Sequence, residues 1–420
     1  MLKSVASTFI IRLVIAFSNL AIAVVLSRNI GAEGKGEASL IILSVAMILL
    51  FCNIVGGASL PYFVPRHNTA LLLLLSNGWT ILVCSIAFCF IFFFEFLNSS
   101  FVVDVILLSV LSSFLATNLS VLLGKDRVKE FNYISLLQVL INFFFLLVFF
   151  FTDKKSVQSY VFSYYIAIVV CLIISSIAIF KYLKNSSFLN ASFVFVEMFK
   201  LGFNNQLGHV MKFVSGRLGF YLLAFYSGNQ SLGVFSNGIA LVESVLIISN
   251  SYATVLYPKV LNSKDNQISQ YLTVSMIKQS VLLCFFALLI LLALPSLFWV
   301  WLLGSEFGGV KIVILLVSPG IFFYNVVLLL SHYFSGVGKV SVNTFANFIG
   351  LFVASASSIL IVPQYDIIAG SLIISISNVS IGLILIYIFL KDSRLRMVNF
   401  LPNHKDFDIL LNGFKSIFRQ

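Results

Sequence analysis

Charge is what this 420-residue sequence has least of: 10% of its residues are Asp, Glu, Lys or Arg, where soluble domains carry about 25%. With 60% hydrophobic residues and a mean hydropathy of +1.07, too little polar surface is left to cover a water-soluble fold. Long polar connections are missing as well, which excludes a soluble domain between the apolar runs. No phosphate-cradling P-loop, zinc-spaced His/Glu cluster or nucleophile elbow occurs, so ATP-driven transport by this chain alone is not expected, nor is enzymatic chemistry, and no cofactor or metal is implied. Cysteine is scarce and odd in number. Cys52, Cys84, Cys89, Cys171 and Cys284 all fall in apolar stretches without metal-ligand spacing or a loop pair, and read as small packing residues.

What is present is membrane-crossing length, repeated. A spanning helix needs about 20 apolar residues. Runs of that kind lie at roughly 5–26, 39–62, 71–96, 101–123, 131–151 and 158–183, and again at 203–226, 233–256, 271–302, 311–336, 341–361 and 367–390. This predicts an all-α polytopic membrane protein of about twelve transmembrane helices. The six-plus-six parse gives an N-terminal lobe at 1–183, a cytoplasmic linker at 184–202, a C-terminal lobe at 203–391 and a tail at 392–420. The first run is too long for the h-region of a signal peptide and lacks a small-x-small cleavage site.

The net charge of +11 is spread through short loops. That excludes the one-sided clustering of a nucleic-acid binder and fits the orienting cations of a polytopic protein. With the N-terminus in the cytoplasm, 17 loop and tail cations fall on the cytoplasmic side, among them Lys125, Arg127, Lys129 and Lys181, against 5 on the other: Arg28, Lys35, Lys154, Lys155 and Lys311. The bias predicts both termini inside and an even number of spans. Gly56-Gly57, Pro295 and Ser318-Pro319-Gly320 predict kinks, either as ordinary irregularities of membrane helices or as bending points. Phe407, Leu410, Leu411, Phe414, Ile417 and Phe418 recur at spacings of three and four, which predicts a short amphipathic helix on the cytoplasmic membrane surface.

Four cations fall within spans, Arg12, Lys212, Arg217 and Lys278, and one acid is clearly deep, Glu243. A charge at mid-membrane costs at least ~2.5–3.5 kcal/mol, so each is a candidate for function. Counting from the cytoplasmic ends of the seventh and eighth spans at ~1.5 Å per residue puts Arg217 about 21 Å deep and Glu243 about 20 Å deep. On consecutive antiparallel helices they can meet. Two readings are open: a structural ion pair, or a water-filled cavity where Arg217 binds an anion and Glu243 tunes it or carries a coupling proton. Lys212 lies some 140° round the helix from Arg217. Lys278 and Arg12 are shallower, and Lys278 can snorkel to the cytoplasmic face. Asn19, Asn53, Asn118, Asn142, Asn325, Asn347 and Asn378 suit interhelical hydrogen bonds. His209 and His332 read as packed histidines before proton relays.

These features resemble the Wzx-type O-antigen and polysaccharide flippases of the multidrug/oligosaccharidyl-lipid/polysaccharide exporter superfamily. The carrying residues are Arg12 in the first span and Ser27-Arg28-Asn29-Ile30-Gly31-Ala32-Glu33-Gly34-Lys35-Gly36 after it. That segment is similar to the family's R-x-L-G-P-x-x-x-G loop, with Ile30 and Ala32 departing at the Leu and Pro positions. Gly216-Arg217 stands where the family often has Asp-Arg, with Glu243 in the place of the missing acid. Val255-Leu256-Tyr257-Pro258 and Ser335-Gly336-Val337-Gly338-Lys339 are also similar. Aligning Gly34 with Gly233 as an internal repeat sets Arg12 opposite Met211, beside Lys212. The resemblance implies two six-helix lobes around a central cavity that opens to each face in turn. It implies that Arg12, Lys212 and Arg217, and less strongly Lys278, hold an undecaprenyl-diphosphate-linked oligosaccharide in a bacterial inner membrane, with H+ or Na+ as candidate coupling ion and other polysaccharide-assembly membrane proteins as candidate partners. The rivals are an O-antigen polymerase, which would need a larger extracytoplasmic loop, and a cation or drug exporter of the same superfamily, which would suit an acid-lined cavity.

Overall fold

The computed structural model describes residues 2–400 except 58, 95–98, 153–154, 184–189, 264, 394 and 396; the predicted tail helix at 403–420 lies outside them. Among the described residues the protein is helical, without strands. The helices are α1 (Leu2–Gly56), α2 (Leu60–Phe63), α3 (Thr69–Phe94), α4 (Ser99–Gly124), α5 (Val128–Phe151), α6 (Val157–Phe180), α7 (Ala191–Ser244), α8 (Leu246–Leu261), α9 (Asn266–Ala293), α10 (Ser296–Leu303), α11 (Val310–Gly336) and α12 (Val340–Ser393).

Three of these are broken by a residue with positive φ: Gly31 (φ 70°) in α1, Gly228 (φ 79°) in α7 and Asp366 (φ 46°) in α12. Glycine enters that region without penalty, and aspartate is among the few other residues that tolerate it. Among the described residues, nine helices are long and apolar enough to cross a membrane, or ten with the bent α7–α8 pair counted. α1 and α7 are each divided into two arms, at Gly31 and Gly228. The breaks at Gly31 and Gly228 occupy the same place in the two halves but are 197 residues apart, not the 199 of the Gly34–Gly233 alignment.

The helix breakers behave in three ways. Gly56 ends α1. Pro295 separates α9 from α10, and the freed carbonyls of Leu292 and Leu294 accept from Lys311 Nζ at 2.8 and 2.5 Å, a cation at a helix C-terminus. Pro319 lies within α11, which runs on unbroken. There Ser318 Oγ donates to Ile314 O, and Gly320 N donates to Ser375 Oγ of α12 at 2.9 Å, a side-chain partner for a backbone group beside the proline.

The chain forms two compact units, Met1–Val210 and Met211–Gln420. In the first, α1 and α3–α6 pack through polar pairs within apolar surroundings: Thr80 with Ser113, Asn118 with Ser175, and Ser163 with Asn142. Such bonds join membrane helices that no hydrophobic effect drives together. Residues 191–202 of the connection between the two sets of spans are helical and run straight into the seventh span. Here Phe199 stacks edge-on against Trp79, and Gln206 Nε2 donates to Leu50 O.

In the second unit α11 is buried on nearly every side, packed by α8, α9 and α12. Its approach to α12 is set by Gly320, where an added Cβ would stand 2.5 Å from Ser375 Cα. Gly320→Leu is therefore expected to lower stability by ~1–3 kcal/mol, read as a fall in the thermal midpoint of the purified protein. An unchanged midpoint would show that this contact is loose.

Candidate functional site

Gly228 turns α7 back on itself, so that residues on its two arms meet in pairs. Phe220 packs edge-on against Phe235, ring centroids 4.8 Å apart. Further from the break, Arg217 Nη2 donates to Glu243 Oε2 at 2.8 Å. Arg217 lies eleven residues before Gly228 and Glu243 fifteen after it, or about 16 and 22 Å along the helices.

The pair is neither sealed nor free. Side-chain exposure is 25% for Arg217 and 36% for Glu243. The guanidinium carbon sits 5.0 Å from the centroid of the buried Phe220 ring, a cation–π contact on one side. At the neighbouring Gly216 an added Cβ would meet nothing within 4 Å. The guanidinium therefore has an aromatic ring on one side and a carboxylate on one N–H, and a quarter of the side chain is exposed. Arginine carries five N–H donors in a planar fork, and Glu243 takes one of them.

Glu243 also marks a mechanical discontinuity. α7 ends one residue later at Ser244, and α8 leaves at an angle of 43°. The charge pair and the bend in the eighth span share one place in the chain.

The remaining predicted site residues are dispersed. Lys212 is in the second unit with Arg217 but turns to α11, its Nζ 4.8 Å from the centroid of the Tyr324 ring. Lys278 is half-buried on α9 of the same unit. Arg12 is exposed on the first arm of α1, in the other unit. The structure thus joins Arg217 to Glu243 and sets Lys212 against an aromatic ring instead.

Two features lay beyond reach of the sequence. One is the aromatic partner of each cation, Phe220 for Arg217 and Tyr324 for Lys212, since phenylalanine and tyrosine are too abundant here for any one to stand out. The other is the company of Asn325, whose Oδ1 accepts from Ser249 Oγ of α8 at 2.6 Å and Ser280 Oγ of α9 at 2.5 Å, all fully buried. His332 is packed and hydrogen-bonded, its Nδ1 2.8 Å from Leu328 O and its ring against Tyr257.

No family model matches the chain. A capsular polysaccharide biosynthesis protein, CapF of Staphylococcus aureus, is 27% identical over 205 residues, 47% of this chain and 50% of that protein. The match thus spans about half the length of that relative. Among solved structures, the lipid II flippase MurJ in an inward closed conformation superposes with a TM-score of 0.71 at 15% identity, covering 100% of this chain and 92% of that one. A point mutant of the Vibrio cholerae MATE transporter VcmN gives 0.68 at 14% identity over 95% and 98%. An inward-facing multidrug resistance MATE transporter of the MOP superfamily gives 0.66 at 11% over 92% and 98%. This chain is a multi-pass membrane protein with the fold shared by the MurJ flippase and the MATE transporters.

Proposed function

We propose that the protein is a flippase that moves undecaprenyl-diphosphate-linked oligosaccharide repeat units across a bacterial cytoplasmic membrane by alternating access. The observation that carries this is Arg217: a guanidinium with one N–H tied to Glu243 and a quarter of its side chain exposed. A diphosphate offers oxygens that a guanidinium fork grips in bidentate fashion, and away from water that contact is strengthened. Glu243 keeps the cation neutralised when no substrate is bound. Lys212, Arg12 and, more weakly, Lys278 add positive charge for the diphosphate or for acidic sugars. The bend beside Glu243 gives the eighth span a place to flex as the site changes its access, with H+ or Na+ as the coupling ion. The likeness to a capsular polysaccharide biosynthesis protein and to a lipid II flippase supports this reading.

The likeness to MATE transporters supports a second reading, export of a cation or drug. Deleting the gene in its source bacterium separates the two. A flippase predicts loss of surface polymer with single lipid-linked repeat units retained on the cytoplasmic side. An unchanged polysaccharide profile would sink the flippase and favour the exporter; a surface bearing one unpolymerised repeat would mean a polymerase.

A further inference from the structure

A second cationic constellation lies in the first unit, far in sequence from Arg217. α4 ends at Gly124, a turn of Lys125, Asp126 (φ 58°) and Arg127 follows, and α5 starts at Val128. α6 runs antiparallel to α5 and ends at Phe180, followed by Lys181 and Tyr182. The three cations converge on one phenol. Arg127 Nη1 donates to Tyr182 Oη at 3.3 Å, Lys125 Nζ is 5.4 Å from the ring centroid and Lys181 Nζ is 5.1 Å from it. Lys125 Nζ also donates to Val64 O beyond α2 at 3.3 Å, which fixes that lysine. Against these stand Asp126, exposed in the turn, and Glu130, which pairs with Arg127; Lys129, exposed on the next turn, restores the positive excess. Burial of Tyr182 works against its ionisation. Hydrogen bonds from Arg127 and Lys181, together with their charges, outweigh it and hold the phenol below its usual value. The apolar flank of the same helix end is exposed: Phe180 72% and Ile177 71%.

We propose that Lys125, Arg127 and Lys181 form a binding site for the phosphate headgroup of an anionic membrane lipid. Cations from two inter-helix turns surround an aromatic platform at the end of the spans, beside apolar side chains that acyl chains can cover. Basic pockets between membrane helices on the cytoplasmic side take cardiolipin-type headgroups, each Lys or Arg contributing about fivefold in affinity. All three residues belong to the cations that the charge bias assigns to the cytoplasmic side. The assignment is independent of the transport reading, because its readout is lipid binding.

The test uses the purified full-length protein. Tetraoleoyl cardiolipin is titrated into detergent solution, and the rise in thermal midpoint and the retained lipid (by native mass spectrometry) are followed. Arg127→Gln/Lys181→Gln leaves Lys125 on Val64 and is expected to weaken cardiolipin binding roughly 25-fold, while Lys259→Gln/Lys391→Gln, the same charge change in the second unit, leaves it within about twofold. If the first pair fails to fold, Lys181→Gln alone, at an exposed position, is expected to cost about fivefold. Equal affinity in wild type and variants would overturn the site. Displacement of cardiolipin by an equal concentration of inorganic pyrophosphate would overturn the lipid assignment, because the cations would then be reading a free diphosphate.

Discussion

Arg217→Ala is expected to lower export of lipid-linked repeat units roughly ten- to a hundredfold at normal expression, and Arg217→Lys to keep part of it. The magnitude is that of one charge-assisted hydrogen bond lost, ~1.5–3 kcal/mol. Lysine restores the charge but not the planar fork. The measurement is surface polymer in a strain whose only copy carries the variant, with protein level checked by blot. Full activity of the alanine variant would remove Arg217 as a substrate ligand. The same residue supplies a sharper test through its partner. The Arg217–Glu243 bond at 2.8 Å is a quarter to a third exposed, so removing one partner leaves a charge that neither water nor protein fully satisfies. Glu243→Gln is accordingly expected to be better tolerated in an Arg217→Ala background than alone. Simple additivity of the two losses would mean that the pair carries no energy of its own.

Asn325→Leu is expected to cost ~1–3 kcal/mol of stability, and adding Ser249→Ala and Ser280→Ala is expected to recover most of it. Two hydroxyls donate to the one Oδ1. Interhelical hydrogen bonds in membranes average only ~0.6 kcal/mol, with a maximum near ~1.7. The larger part of the loss is therefore the poorer pairing of two buried hydroxyls, left with only the Cys284 thiol beside them, rather than the bonds themselves, and replacing the hydroxyls by apolar groups removes that penalty. Thermal unfolding of the single and triple variants decides it. A triple variant as unstable as the single would show that the loss comes from packing of leucine against α8 and α9.

Several structural features were legible from residues alone. That Arg217 and Glu243 can meet followed from counting residues at a fixed helical rise, and the two are hydrogen-bonded. Asn118, Asn142 and Asn325 were legible as polar links between helices, because an amide in hydrocarbon has nowhere else to bond, and all three make such bonds. The helix ends were less legible. The second span was placed at 39–62, whereas the helix resumes directly after Gly31 and ends at Gly56. Small residues and Lys35 lowered the local hydropathy there without breaking the backbone. Pro319 lies inside α11, which runs on through it, and the next residue, Gly320, donates its N–H to Ser375 Oγ, 55 residues away.

By itself the sequence determined that the protein is helical and membrane-spanning, and that Arg217 and Glu243 can meet. Those follow from hydrocarbon as a solvent, which reads length and polarity along one dimension. Only the tertiary structure decided the partners that residue counting does not reach: Phe220 for Arg217, Tyr324 for Lys212, two serines for Asn325 and three cations around Tyr182. A side chain's partner depends on how each helix is rotated about its axis and where it turns back. Contacts such as Gly320 against Ser375 and breaks such as Gly228 set that rotation, and hydropathy, which averages over the circumference of a helix, carries no record of it.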